Sequence, residues 1–127
     1  MARKPADSSK SGSVAALAEN LKRSVTEICV LHLLSSHPYY IGELTEELCR
    51  RSNGLLDLVC PYGLIYRLID FEYIVEMRKQ RAPDGRRRQY YRITERGRRY
   101  LKELVAYYFD FSSSMEGILK DTEENLE

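Results

Sequence analysis

A chain of 127 residues carrying 20 Lys or Arg against 19 Asp or Glu, formal net charge +1, has room for one domain and a modest core, and none for a multidomain enzyme. No apolar run approaches the ~20 residues of a membrane span and the N-terminus lacks the apolar centre of a signal peptide, so a soluble cytoplasmic protein is expected. Cys29, Cys49 and Cys60 are odd in number and form no CxxC pair or metal knuckle. Reduced thiols are expected, with no disulfide framework, metal or cofactor.

Residues 1–13, rich in Ser, Lys and Ala, read as a disordered basic arm whose Arg3, Lys4 and Lys10 could touch phosphates. From Val14 to Ser36 the pattern is helical: Leu17, Leu21, Val25, Ile28 and Cys29 recur at spacings of three and four. Val30-Leu31-His32-Leu33-Leu34 is apolar almost all round, which predicts burial on every side, against a core and a partner subunit. His32 is expected to be packed and hydrogen-bonded there. His37-Pro38 ends the helix, because proline disfavours helical geometry in the residue before it.

A second helix is expected over Tyr39–Arg51, with Ile41, Leu44 and Leu48 inward, stopped by Asn53-Gly54. A third carries Tyr62, Ile65, Tyr66 and Ile69 and should start close to Cys60, with Pro61 in its first turn and Leu55–Val59 as entry loop.

Pro83-Asp84-Gly85 is a turn with a mechanism: proline pre-sets φ, aspartate bonds its own backbone, and glycine takes positive φ without steric cost. Two extended arms meet at it, Tyr73–Met77 coming in and Tyr90–Ile93 ending the way out. Between Glu76 and Arg99 ten bases face three acids, while residues 1–75 hold eight bases and nine acids, and residues 100–127 two bases and seven acids. A nearly neutral chain therefore conceals a polarised molecule, and a cation field of this kind is the footprint expected of a polyanion ligand. Alternation sets Arg86 and Arg88 on one strand face with Tyr90, and Arg87 on the other with Gln89 and Tyr91. Tyr91 and Ile93 are expected inward, Arg86 and Arg88 toward the ligand.

Thr94 suits the N-cap of a last helix with Glu95 in its first turn. In that helix Leu101, Leu104, Tyr108, Phe111, Met115 and Ile118 keep an a/d heptad spacing, the pattern of a dimerisation seam. Tyr107, Tyr108 and Phe111, with Phe109 and Met115, also suggest a site for a flat aromatic effector between paired helices. Asp121–Glu127 is acidic and should fray.

Three helices, a basic hairpin and a long helix describe a mainly α fold with a small β-hairpin: a winged helix-turn-helix over 14–94, a C-terminal dimerisation helix over 95–119 and an acidic tail over 120–127. The chain resembles the PadR family of transcriptional regulators over roughly Leu21 to Leu104. The resemblance is carried by Leu31-His32-Leu33-Leu34, Tyr40 with Glu43-Leu44 and Glu47-Leu48, Tyr62 with Ile65-Tyr66-Arg67-Leu68, Tyr73-Ile74, and above all Arg86–Gly97, which resembles the family's arginine-rich wing strand, double tyrosine and threonine-initiated helix. The chain departs from that pattern where Pro38-Tyr39-Tyr40 replaces a His-Gly-Tyr type turn, Gly63 stands where a proline usually follows the tyrosine, and Glu72 replaces a glycine before the first wing strand.

The resemblance implies a bacterial homodimer that binds a pseudo-palindromic operator in double-stranded DNA, generally as a repressor, and in many members is released by a small phenolic or drug-like effector. The residues agree. The N-terminal turn of the third helix, Cys60-Pro61-Tyr62-Gly63, would offer amides to phosphate and side chains to base edges, with Tyr66 and Arg67 one turn later. Arg67 is the only base in that helix, so the hairpin must supply most of the binding energy. The expected DNA-binding set is Tyr40, Cys60, Pro61, Tyr62, Tyr66, Arg67, Arg81, Arg86, Arg87 and Arg88. A winged-helix module whose basic wing docks an acidic protein is the alternative. Enzymatic chemistry is not expected, since no nucleophile-base pair, paired carboxylates or glycine-rich phosphate loop is found.

Overall fold

The computed structural model describes residues 12–127, so Arg3, Lys4 and Lys10 of the expected basic arm lie outside the described residues. Helix α1, Val14–Ser36, opens on Ser13, whose Oγ accepts a hydrogen bond from the Ala16 amide at 3.1 Å. It ends at His37, extended before Pro38. Its second half buries Val30, Leu31, Leu33 and Leu34, but His32 is exposed, contrary to the packed histidine expected. The reason is angular. At ~100° per residue the four leucine and valine side chains span one broad arc, and position 32 points opposite its centre. The ring therefore faces away from the core.

Tyr39–Tyr40 does not open the second helix as expected but forms a two-residue strand, β1. Helix α2 then covers Ile41–Arg51, burying Leu44 and Leu48. Its end is set by backbone handedness: Asn53 and Gly54 have φ of 54° and 82°, and the Gly54 amide returns to the Cys49 carbonyl at 2.8 Å. After an irregular Leu55–Pro61 segment, α3 runs Tyr62–Asp70 with Pro61 as its N-cap residue, so it starts later than expected. Ile65 and Leu68 point into the core.

The wing contains four short strands: β2 (Ile74–Glu76), β3 (Gln80–Arg81), β4 (Arg87–Arg88) and β5 (Tyr90–Ile93). Strand β5 is central in a three-stranded antiparallel sheet of order β1-β5-β2, pairing Tyr39 with Tyr91 on one side and Ile74 with Ile93 on the other. The expected two-stranded hairpin thus gains a third strand from the segment before α2. Strands β3 and β4 form a separate ladder at the tip. Continuing the first ladder would put Gln80 opposite Arg87; it faces Arg88 instead, so one extra residue sits in the incoming arm. Arg78 and Lys79 share that bulge opposite Gln89. The Gln89 amide nitrogen donates to the Met77 carbonyl and, at 3.1 Å, to that of Tyr90, closing the interrupted ladder.

Thr94 caps α4, Glu95–Leu119, by accepting from the Gly97 amide at 2.9 Å, and its hydroxyl donates to the Glu72 carbonyl at 2.7 Å. Gly97 is there for space: a Cβ on it would lie 2.1 Å from the Tyr73 carbonyl oxygen and 2.7 Å from Ile93 Cγ1. The 25 residues of α4 extend ~37 Å, and only the first part is embedded. Leu101 belongs to the core with Ile93, Ile74, Leu68 and the buried residues of α1, and Leu104 and Val105 pack against it. Tyr100 stacks on Tyr73 at 4.1 Å and donates to Glu27 Oε2 at 3.0 Å. Beyond Val105 the helix is exposed except for half-buried Ser112 and Met115. The acidic end does not simply fray, since Thr122–Leu126 forms a short exposed helix, α5. No helix of the described residues is long and apolar enough to cross a membrane.

Candidate nucleic-acid interface

Helix α3 divides cleanly. Ile65 and Leu68 anchor it, which leaves Tyr62 and Tyr66, 51% and 55% exposed, on the opposite face with Gly63 and Arg67. The two rings lie 6.2 Å apart, one turn of helix between them. Pro61 provides no side-chain cap, so the first amides of α3 have no side-chain partner from their cap residue. Pro61 is itself buried beneath the turn, and it presents no surface to a ligand, unlike exposed Cys60 and Tyr62. Gly63 leaves open space where a side chain would stand.

Beside this helix stands the wing. Its tip is the expected turn: the Gly85 amide bonds the Ala82 carbonyl at 2.9 Å, the Ala82 amide bonds Arg86 O at 2.8 Å, and Gly85 has φ of 83°. Asp84 Oδ1 accepts from the Arg86 amide at 3.0 Å, the self-bonding expected of a turn aspartate. Arg81, Arg86 and Arg87 are exposed. Tyr91 and Ile93 face the core, and burial pushes the Tyr91 hydroxyl pKa up.

Arg88 behaves differently from the other wing arginines. Its Nη2 lies 2.6 Å from Asp84 Oδ2, its guanidinium carbon lies 5.3 Å from the centre of the Tyr40 ring, and its Nε is buried without an acceptor. Tyr40 in turn meets the Tyr90 ring edge to face at 5.5 Å. The hydrogen bond from Arg88, then that from the Arg86 amide, holds the Asp84 carboxyl below its ordinary range, and the same Asp84 bond raises Arg88. Sequence reasoning missed this partnership because it assigned Asp84 to its own backbone, which engages only one of its two oxygens.

Three of the ten predicted residues, Tyr40 before α2, Tyr62 at the start of α3 and Arg88 of the wing, line one cleft of about 340 Å³ together with Ile41, Gly42, Gln89 and Tyr91. Cys60, Tyr66 and Arg67 continue the exposed face of α3, and Arg81, Arg86 and Arg87 continue the wing. The expected seam residues separate: Leu101 and Leu104 serve the chain's own core, whereas Tyr108, Phe111 and Ile118 are exposed and Met115 is half-buried. Of the expected effector residues, Tyr107 stacks on Phe111 with centroids 6.3 Å apart, both on the open surface of α4.

The architecture and its parts have close counterparts. A PadR-like regulator of Bacillus cereus superposes with a TM-score of 0.70 at 24% identity, over 79% of this chain and 96% of that one. A PadR family regulator of Eggerthella lenta gives 0.68 at 24% identity, over 84% and 88%. A Streptococcus transcriptional regulator gives 0.68 at 26% identity, over 77% and 95%. In sequence, an uncharacterized protein of Lysinibacillus sphaericus is 33% identical over 78 residues, 60% of this chain and 71% of that one. Residues 30–103, more than half of the chain, match the profile of the transcriptional regulator PadR-like family. With the three-helix body, the wing and the long last helix all present, the chain belongs to the PadR-like family of transcriptional regulators.

Proposed function

We propose that the protein is a homodimeric repressor that binds a pseudo-palindromic operator through α3 and the wing and leaves it on meeting a small aromatic effector. One observation carries the DNA-binding reading: the cleft that Tyr62 of α3 lines is closed on its other side by the wing, whose neighbouring Arg81, Arg86 and Arg87 are all exposed. A groove-sized helix and a cationic arm on one side of a domain match the two demands of duplex recognition, base edges and phosphates. Tyr62, Tyr66 and Arg67 read the major groove; Arg81, Arg86 and Arg87 neutralise backbone charge.

Support for the dimer comes from apolar surface that the protomer leaves uncovered. Tyr108, Phe111 and Ile118 on α4, and Val14, Leu17 and Leu21 on α1, form exposed apolar rows on the two longest helices. Pairing α4 with a second copy covers the first row and sets two α3 helices at a fixed separation, which a two-fold operator requires. The effector then binds among Tyr107, Tyr108 and Phe111 of paired helices, where flat rings can stack.

The test is fluorescence anisotropy on a duplex from the region upstream of the protein's own gene, against a scrambled duplex of equal composition, through a salt series. Selective binding is expected, with ~0.9 in log-log salt slope for each phosphate neutralised. Equal, weak binding to both duplexes would refute self-regulation, and a flat salt response would refute a phosphate-binding wing.

A further inference from the structure

We propose that Arg88 is a positioning residue that clasps the wing to the start of α2, setting the angle at which Arg81, Arg86 and Arg87 meet DNA, and that it does not itself neutralise a phosphate. This rests on the DNA-binding reading above.

The wing's arginines look equivalent in sequence and are not equivalent in space. Arg81, Arg86 and Arg87 are exposed, and among the described residues no carboxylate lies within 4.0 Å of their side chains. Arg88 is held at two points. Its Nη2 is taken by Asp84 at 2.6 Å, and its guanidinium lies over the ring of Tyr40 with Nε shut off from solvent. Asp84 belongs to the wing tip, where its other oxygen fixes the turn through the Arg86 amide. Tyr40 belongs to the body, paired with Tyr90 in the sheet and immediately before α2. Arg88 thus joins tip to body, beside the Gln89 amide that closes the ladder. The join spans the bulge at Arg78 and Lys79, where the main-chain ladder is interrupted and a side-chain brace is needed.

Charge placement points the same way. A carboxylate on a DNA-facing tip repels the backbone it approaches, so Asp84 has a cost in the complex that needs a structural return. With Nη2 held by Asp84 and Nε shut off from solvent, Arg88 has few donors left for a phosphate, and any phosphate it reached would lie beside the Asp84 carboxylate. The task also suits arginine in particular. A planar guanidinium can lie on a ring and present a nitrogen to a carboxylate together, which the point charge of lysine cannot.

Four variants separate the roles. In the DNA-free protein, Arg88→Lys should speed amide hydrogen exchange at Met77 and Ala82, whose N–H groups bridge the wing, by about fivefold, while Arg86→Ala leaves Met77 unchanged. On the operator, Arg88→Lys should weaken binding about fivefold at every salt concentration with its slope unchanged, whereas Arg86→Ala should lower the slope by ~0.9 per wing. Asp84→Asn should also weaken binding, although it removes a negative charge from the DNA side. Wild-type affinity in Arg88→Lys, a slope loss in Arg88→Ala equal to that of Arg86→Ala, or tighter binding by Asp84→Asn would overturn the proposal. If the wild-type protein binds no duplex, the DNA-binding reading fails on its own. Exchange rates then decide the clasp, and unaltered exchange in Arg88→Lys would refute it.

Discussion

The two halves of α4 carry apolar residues at the same heptad spacing, yet they lead different lives. In the first half Gly97 and Leu101 are buried, Tyr100 is locked between Tyr73 and Glu27, and Leu104 rests on the core. In the second, Tyr107 is 71% exposed and Ile118 67%. Helix α1 shows the mirror arrangement, with Val14, Leu17 and Leu21 exposed near its start and Val30, Leu31, Leu33 and Leu34 buried near its end. Each long helix therefore spends one end on the fold and keeps an apolar remainder. An apolar stripe tells which face avoids water; what covers that face depends on the neighbours.

The sharpest way to test that division is to damage each half separately. The largest effect belongs to Gly97→Ala: with backbone carbonyl and Ile93 in the way, α4 must shift off Tyr73, at about 3 kcal/mol of stability by denaturant unfolding. A loss under 1 kcal/mol would mean that the embedded half is loosely seated. Next comes Phe111→Glu with Ile118→Glu in the free half. Sedimentation should show dimerisation weakened at least ~100-fold, since charges would enter an apolar seam, while the spectroscopic signature of the fold is kept. A variant that stays dimeric would break the comparison.

A smaller effect is expected at Tyr100, whose pKa is pushed up from its ordinary value near 10 to about 12 by desolvation first and the bond to Glu27 second. The folded state holds this proton more tightly than the unfolded one. Stability from Tyr100 should therefore be whole below about pH 10 and decline as the pH rises toward 12. Tyr100→Phe should cost about 1 kcal/mol at neutral pH and remove that alkaline decline. Persistence of the decline would place its origin elsewhere. The smallest effect should come from Glu72, whose φ of 63° is left-handed. Glu72→Gly should raise stability by about 0.5–1 kcal/mol, because glycine takes that conformation without a Cβ penalty.

These same positions mark what could be read before the structure. The end of α1 and the start of α4 were legible because His37-Pro38 and Thr94 act through local chemistry, as were the turn at Asp84-Gly85 and the inward pair Tyr91 and Ile93. The strand Tyr39–Tyr40 was not: two residues carry no alternation, and its partner lies some fifty positions away. His32 misled because a short apolar run hides a single outward position. Leu101 and Leu104 joined a heptad stripe that runs unbroken across the point where the core ends. Within the candidate site, residue type pointed to α3 and the wing, but the separation of Arg88 from its neighbours depends on a ring from another segment and a carboxylate across a turn. The glycine-to-glutamate departure at position 72 was visible in the sequence; its meaning as backbone handedness was not.

The one-residue bulge opposite Gln89 has a consequence for how such a regulator can diversify. By interrupting the ladder between the tip and the central strand, and closing the gap with a side-chain amide, it uncouples the tip's pairing from the register of Tyr91 and Ile93. Residues can be gained or lost between Arg78 and Arg88 without turning core side chains out into water. The wing tip is thus a part that can be lengthened, shortened or recharged while the body beneath it stays the same.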